Sequence, residues 1–294
     1  MKDNLPGTDH AAGAHSTDHP LMGIPAQGDA KIHPTAIIDP RANIGVDVEI
    51  GPFCIVEGNV TIGARTVLGP YVHVKGHTVI GENNQFFQGC IVGEAPQSKS
   101  YKNPKPELEI GDHNVFREFM TFHTSITEGC PTRVGNHNFL MANSHIGHDC
   151  VLGDHIIFSN YTGLSGHVTV EDNVFISGLS GVHQHGRIGT FAMVGGVSKV
   201  VKDIPPYTMT EGNPAYVVGL NRVGMMRGGM SAEESKAIKQ LYRILYRSQK
   251  LVPEALEQIE TDLLPGLEDA AAAGRVRHFL QFCRGSRLGI MSAA

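Results

Sequence analysis

The sequence predicts an all-β fold, a parallel β-helix, followed by a small α-helical domain. An apolar residue returns every six positions from Ile32 to Val200, with two interruptions that leave the phase unchanged. A period of six fits neither the 3.6-residue turn of an α-helix nor a simple alternating strand. Each hexad can instead form one flat face with its apolar residue inward, and about three hexads close one turn.

The segment before the repeats differs in composition. Residues 1–30 are polar, rich in Gly and Pro, and show no period, so we expect a flexible tail. The repeats then define a β-helix domain over residues 31–204. Glycine often follows the inward-pointing residue, as at Gly45 and Gly63, and we expect these glycines to supply the positive φ of the corners.

Two segments interrupt the period, near residues 94–109 and 124–133. The period resumes in phase at Ile110 after the first and at Val134 after the second. We therefore expect two loops extruded from a continuous coil. Such loops tend to carry function, because a regular solenoid gains nothing structurally from them.

The repeats end near Val200, and the pattern then changes. Several prolines follow, and we expect them to forbid further ladder hydrogen bonds, which makes residues 205–230 a connector. Over residues 231–294 the apolar period becomes helical, which predicts the C-terminal helical domain.

Three helices are predicted in that domain. The first opens with a capping-box pair, Ser231 and Glu234. The others run from Pro253 to about Leu263 and from Asp269 to Arg284. Five cations would share about 80° of arc on the first helix: Lys236, Lys239, Arg243, Arg247 and Lys250. This face is either simply solvated or a docking surface for an acidic partner.

Composition narrows the class of protein. The net charge of −5 argues against nucleic-acid binding. Five scattered cysteines without CxxC pairing indicate reduced thiols instead of a disulfide framework or zinc site. The absence of an apolar run long enough to span a bilayer, and of a signal peptide, predicts a cytoplasmic protein without stable membrane insertion.

Histidines are concentrated between residues 143 and 194. Residues 18 apart should stack on successive turns, about 4.8 Å apart. This rule gathers distant histidines into one patch. One column holds His148, Gly166 and Gln184; the next holds Asp149, His167 and His185; a third holds Gly147, Ser165 and His183.

This patch suits proton transfer. Histidine takes and returns a proton near neutral pH. Asp149 follows His148 directly, and we expect that backbone geometry alone does not aim its carboxylate at the ring, so that His167 or another turn completes the arrangement. The N–H of Gly166 could stabilise an oxyanion. These features favour direct acyl transfer to an alcohol or amine. Two alternatives remain: the imidazoles of three histidines bind zinc, as in γ-class carbonic anhydrases, or the histidines are purely structural.

From Ile32 to Arg284 the chain resembles the UDP-N-acetylglucosamine O-acyltransferases, the first enzymes of lipid A biosynthesis. The matching segments are IHPTAII (32–38), IGPFCIV (50–56), HIGHDC (145–150), SGHV (165–168), GVHQ (181–184), MVGG (193–196), DIPPY (203–207) and GN (212–213). The resemblance implies a homotrimer of left-handed β-helices with active sites between subunits. It also implies transfer of a 3-hydroxyacyl group from acyl carrier protein to the sugar 3-hydroxyl.

The resemblance also assigns roles to residues. It makes His148 the general base, Asp149 its supporting carboxylate and Gly166 the oxyanion-hole residue. Other positions match ligand contacts: His123, His145, His167, His183, Gln184, Gly196, Asn221 and Arg227. Gly196 stands where the family gauges acyl length. The resemblance implies no metal and no cofactor besides the phosphopantetheine thioester of the donor.

Several positions depart from the family pattern. Ser98 replaces an acid in the first loop, Thr124 and Ser125 stand in place of Arg-Gly, Val223 replaces an acidic residue, and Gly228 occupies the place of a second arginine. The resemblance implies that these changes alter contacts to the sugar and the phosphates. A related enzyme that acts on an amino analogue of the nucleotide sugar is therefore an alternative.

Overall fold

The computed structural model describes residues 30–99, 101–102 and 105–293. The predicted tail, apart from Ala30, lies outside the described residues. The rest of the chain folds as a parallel β-helix of short strands, followed by helices. The predicted fold class is thus confirmed.

Each turn of the coil adds one strand to each of three sheets. Sheet 1 contains Lys31–Ile32, Glu49–Ile50, Val67–Leu68, Gln85–Phe86, Val115–Phe116, Phe139–Leu140, Ile157–Phe158, Phe175–Ile176, Met193–Val194, Thr208–Gly212 and Ala215–Leu220. Sheet 2 contains Ile37–Ile38, Ile55–Val56, His73–Val74, Ile91–Glu94, Thr121–His123, His145–Ile146, Gly163–Leu164, Gly181–Val182 and Lys199–Val200. Sheet 3 contains Asn43–Ile44, Val60–Ile62, His77–Ile80, Glu107–Ile110, Thr132–Val134, Val151–Leu152, Thr169–Val170 and Arg187–Ile188.

The stacking rule of 18 residues holds in the sheet register. Ile146 pairs with Leu164, and Leu164 pairs with Val182 on the next turn. Ile110 pairs with Ile80 before it and with Val134 after it, so both loops leave the coil in register. From Ile44 onward the inward-pointing residues are buried and form one continuous core, against which the partly buried Ile32 and Ile38 pack. Burial of this apolar ladder is what specifies the register.

At the corners of the coil, the residue that adopts positive φ is not the predicted one. Gly45 and Gly63 do not; Asp47 (56°) and Arg65 (57°), two positions later, do. Gly63 is needed for its lack of a side chain, because a Cβ there would lie 2.5 Å from the carbonyl of Gly81 on the next turn. The glycine that follows the inward residue therefore permits close stacking of turns, and the expectation of a positive φ was wrong.

The expectation that prolines end the ladder was also wrong. Thr208–Gly212 pairs in parallel with Met193–Val194, and the N–H of Gly195 donates to the carbonyl of Thr210 at 2.6 Å. Pro205 and Pro206 precede this strand, so they remove no ladder donor from it. The strand then pairs antiparallel with Ala215–Leu220.

Four α-helices lie in the described C-terminal part: α1 (Arg222–Arg227), α2 (Ala232–Arg247), α3 (Val252–Gln258) and α4 (Ala270–Arg284). A π-helical turn, Ile259–Leu263, and a 3₁₀ turn, Leu264–Gly266, connect α3 to α4. The helices α2 and α4 bury their apolar faces against each other in a second core. No helix in this described region is long and apolar enough to cross a bilayer.

The start of α2 matches its prediction and the end does not. Ser231 Oγ accepts from Glu234 N at 3.0 Å, and Ser231 N donates to Glu234 Oε2 at 2.8 Å, which completes the capping box. The helix ends at Arg247, however, and Gln249 has positive φ. Lys250 therefore lies beyond the helix and is not part of its basic face.

Arg187 joins sheet 3 to α4. Its guanidinium donates to the carbonyl of Phe282 at 3.0 Å and lies over the Phe282 ring at 4.1 Å from the centroid. It also lies 3.8 Å from the buried carboxylate of Asp203. These contacts hold the helical domain on the coil.

Candidate active site

A cavity of about 640 Å³ opens over sheet 2, where the predicted histidine patch lies. Six of the predicted site residues line it: His123, His145, His148, Gly166, His183 and Gln184. Strand pairing explains why they meet. His145 pairs with Gly163 and Gly163 with Gly181, so one turn of the coil separates each histidine-bearing segment from the next.

His148 and Asp149 form a hydrogen-bonded pair. His148 Nδ1 lies 2.7 Å from Asp149 Oδ2, a distance that suits a ring N–H donating to a carboxylate. Asp149 adopts a φ of 57°, the left-handed conformation found at this corner on successive turns. The expectation that backbone geometry alone does not aim this carboxylate at the neighbouring ring stays a prediction, because backbone N–H groups of the second loop also bond to the carboxylate.

The second loop holds the carboxylate in place. Ile126 N and Thr127 N each donate to Asp149 at 3.0 Å, and Asp149 N donates to Thr132 Oγ1 at 2.8 Å. Burial raises the pKa of Asp149, but hydrogen bonds from Ile126, His148 and Thr127 outweigh it, and the net pKa is lowered. Asp149 is thus a charged and well-positioned acceptor for His148.

His167 approaches the same carboxylate from the next turn. Its Nε2 lies 3.9 Å from Asp149 Oδ2, and its ring meets the His148 ring edge-on at 5.1 Å between centroids. His185 stacks on His167 at 4.6 Å, as the column rule predicted. Burial lowers the pKa of His167, although the charge of Asp149 opposes this.

These three residues are also the candidate metal ligands in the described chain. One ligand atom each from His148, Asp149 and His167 lies within 4.8 Å of the others. The set has two imidazoles and one carboxylate, whereas the zinc alternative supposed three imidazoles. Asp149 also accepts two backbone N–H bonds, which compete with metal coordination.

Gly166 lies directly against the His148 ring. A Cβ at this position would be 2.2 Å from His148 Cε1 and 2.5 Å from Nε2. The carbonyl of Gly166 accepts from His185 N at 3.1 Å, while its own N–H has no partner in the described structure. A free N–H beside a base is the arrangement that an oxyanion intermediate requires.

His123 and His145 form the inner wall of the cavity. Their rings meet edge-on at 4.6 Å, and His145 Nδ1 lies 2.8 Å from Thr121 Oγ1. Burial lowers the pKa of His145 to about 4 and also lowers that of His123. Both rings are therefore neutral at pH 7 and can act as hydrogen-bond partners for a ligand.

Five predicted residues do not line this cavity within the single described chain: Asp149, His167, Gly196, Asn221 and Arg227. Asp149 and His167 instead contact His148. Asn221 is buried at the start of α1, where its side chain accepts from Gly224 N and donates to the carbonyl of Phe191, both at 2.9 Å. Arg227 is exposed at the end of the same helix.

Two polar residues that the sequence reasoning missed do line the cavity: Gln97 and Lys199. Gln97 comes from the first loop, for which no periodicity rule exists. Lys199 follows Gly181 by 18 residues and pairs with it. The column rule that gathered the histidines could therefore have found Lys199.

The departures from the family pattern have structural explanations at three positions. Thr124 Oγ1 donates to the carbonyl of Glu94 at 3.3 Å, and Ser125 Oγ accepts from Glu107 N at 3.2 Å, so both residues tie down the first loop. A Cβ at Gly228 would lie 2.2 Å from the ring of Phe191. Phe191 therefore excludes a side chain there.

The site contains a histidine that a carboxylate orients and a free backbone N–H beside it, and a hexad-repeat coil carries both. This combination defines an acyltransferase of the hexapeptide-repeat class. Family models agree with this class. Residues 131–166 match the bacterial transferase hexapeptide model, and residues 203–291 match domain 2 of the Udp N-acetylglucosamine O-acyltransferase model.

Individual relatives define the family. The chain is 48% identical over 263 residues to the acyl-[acyl-carrier-protein]–UDP-N-acetylglucosamine O-acyltransferase of Thiobacillus denitrificans, covering 89% of this chain and 99% of that one. The structure of LpxA from Acinetobacter baumannii superposes with a TM-score of 0.83 at 41% identity, covering 88% and 99%. The Arabidopsis UDP-N-acetylglucosamine acyltransferase gives 0.76 at 35% identity, covering 89% and 100%. The chain therefore belongs to the UDP-N-acetylglucosamine O-acyltransferase family, and its coil is the left-handed β-helix of that family.

Proposed function

We propose that this chain transfers a 3-hydroxyacyl group from acyl carrier protein to the 3-hydroxyl of UDP-N-acetylglucosamine, the first step of lipid A biosynthesis. Relatives that this chain matches over nearly their whole length are named acyl-[acyl-carrier-protein]–UDP-N-acetylglucosamine O-acyltransferase, which supports the donor carrier, the sugar nucleotide and the O-acyl transfer. The observation that carries the mechanism is the 2.7 Å contact between His148 Nδ1 and Asp149. It leaves His148 Nε2 available to accept a proton.

The proposed reaction is a direct displacement. His148 Nε2 takes the proton of the sugar hydroxyl while the hydroxyl oxygen attacks the thioester carbon. The N–H of Gly166 stabilises the oxyanion of the tetrahedral intermediate. The intermediate collapses, the carbon–sulfur bond breaks, and the pantetheine thiolate receives the proton from His148. No covalent enzyme intermediate forms, and no cofactor is needed besides the donor's own phosphopantetheine thioester.

We also propose a homotrimer, supported by an exposed apolar edge. Six large apolar side chains occupy the corner between sheets 1 and 2, with 51–65% of each exposed: Phe53, Tyr71, Phe119, Tyr161, Leu179 and Val197. Such a column buried between copies would be a hydrophobic interface. Gly196 adjoins this edge, next to Val197, so a neighbouring subunit that packs on the edge would bring its Gly196 close to the cavity.

The test is product analysis with purified protein. Wild type should acylate UDP-N-acetylglucosamine, and His148→Ala should lower kcat by at least about 10²-fold, the usual contribution of a general base, while the elution volume of the trimer stays the same. Retention of most activity would refute the role of His148. Acylation of only the 3-amino analogue of the sugar would refute the substrate, and stoichiometric zinc whose chelation abolishes activity would favour the metal alternative.

A further inference from the structure

The floor of the cavity is flat between His145 and Lys199. His145, Gly163, Gly181 and Lys199 pair in register on four successive turns of sheet 2. A Cβ at Gly163 or at Gly181 would meet no atom within 4 Å, so both glycines face open space. Three strand spacings separate His145 from Lys199, about 14 Å at about 4.8 Å each. The result is a trough with histidines at one end and an ammonium group at the other.

Among the described residues that line this trough, Lys199 is the only one that belongs to the lysines, arginines and acidic residues. It is exposed and makes no ion pair or hydrogen bond through its side chain in the described structure. His145 and His123 are neutral at pH 7 because burial lowers their pKa values. An anionic group bound in the trough of this chain would therefore find its counter-charge at Lys199.

We propose that Lys199 binds the diphosphate of the nucleotide sugar and so acts as a specificity-determining residue; this inference rests on the proposed function above. A sugar hydroxyl that reaches His148 places the pyranose ring over the side-chain-free floor. The phosphates, attached across the ring at the anomeric carbon, then point along the trough toward Lys199. Its four-carbon side chain can extend back toward them.

A matched control lies three residues away. Lys202 is exposed and does not line the trough. Lys199→Met removes the charge and keeps most of the side-chain length. Lys199→Arg keeps the charge, and Lys202→Met removes an equal charge nearby.

The experiment measures KM for UDP-N-acetylglucosamine and for the acyl carrier protein separately, together with the calorimetric Kd for UDP. Lys199→Met should raise the sugar-nucleotide KM and the Kd for UDP about tenfold, as expected for loss of one exposed charge-assisted hydrogen bond. The donor KM and kcat should stay near wild type. Lys199→Arg should recover most of the affinity, and Lys202→Met should change neither constant.

An unchanged sugar-nucleotide KM in Lys199→Met would overturn the proposal. A rise confined to the donor KM would also overturn it, since the lysine would then contact the phosphodiester of the pantetheine arm. An equal effect of Lys202→Met would reduce the role to general surface charge. Wild type that fails to acylate UDP-N-acetylglucosamine would refute the proposed function instead, and the UDP titration would still test Lys199.

Discussion

Substitution of Gly166 by alanine tests the placement of the base most sharply. The added Cβ would lie 2.2 Å from His148 Cε1 and 2.5 Å from Nε2. Carbon atoms in ordinary contact are about 3.5–4.0 Å apart, so the ring must retreat by more than about 1 Å. Gly166 does not have a positive φ, so the backbone tolerates alanine. The ring cannot retreat that far and keep its 2.7 Å contact with Asp149.

We expect kcat/KM of Gly166→Ala to fall by about 10²-fold or more, because a misplacement of about 1 Å near the reacting atoms costs that much. The assay is steady-state acyl transfer monitored by mass spectrometry. Gly274→Ala in α4 is the control, since its Cβ meets open space and the helix should gain about 0.5–1 kcal/mol of stability. Near-wild-type kcat/KM in folded Gly166→Ala would show that His148 is not the group that moves the proton.

Three further perturbations follow from the same geometry. Asp149→Asn should lower kcat by about 10²–10⁴-fold with a smaller change in KM, because an amide cannot hold the His148 N–H as a carboxylate does; an unchanged pH–rate profile would argue against this pairing. Burial lowers the pKa of His145 from 6.5 to about 4, so the unfolded state binds more protons than the folded state below pH 6.5. The free energy of unfolding should therefore decrease by about 2 kcal/mol when the pH is lowered from 7 to 5. Urea unfolding at pH 7 and pH 5 measures this loss, and His145→Gln should remove most of it. Charge reversal at Arg243 and Arg247 should raise KM for the acyl carrier protein at low salt with folding unchanged; no change would identify this face as merely solvated.

The arrangement of the site residues in columns along the coil could be predicted from the sequence. A hexad with one buried apolar position specifies register, because a slip of one residue would expose the core. That register places residues 18 apart in one column, so His148, Gly166 and Gln184 were brought together by counting. The same rule reaches Lys199, which pairs with Gly181, although the sequence analysis did not single it out.

The two loops could not be placed in the same way, because their contacts follow no period. Ile126 and Thr127 donate backbone N–H groups to Asp149, and Gln97 reaches the cavity from the first loop. Loop position depends on tertiary contacts such as the hydrogen bond that Glu107 N donates to Ser125 Oγ.

Corner conformation was likewise decided by packing. The turns stack so closely that the glycine position must be free of a side chain, and the positive φ falls two residues later, where Asp149 stands. The sequence by itself thus determined the coil, its register and the gathering of the histidines, since all three depend on a repeated local pattern. Only the tertiary structure decided which way Asp149 points and what holds it there, because those contacts join segments that no period connects.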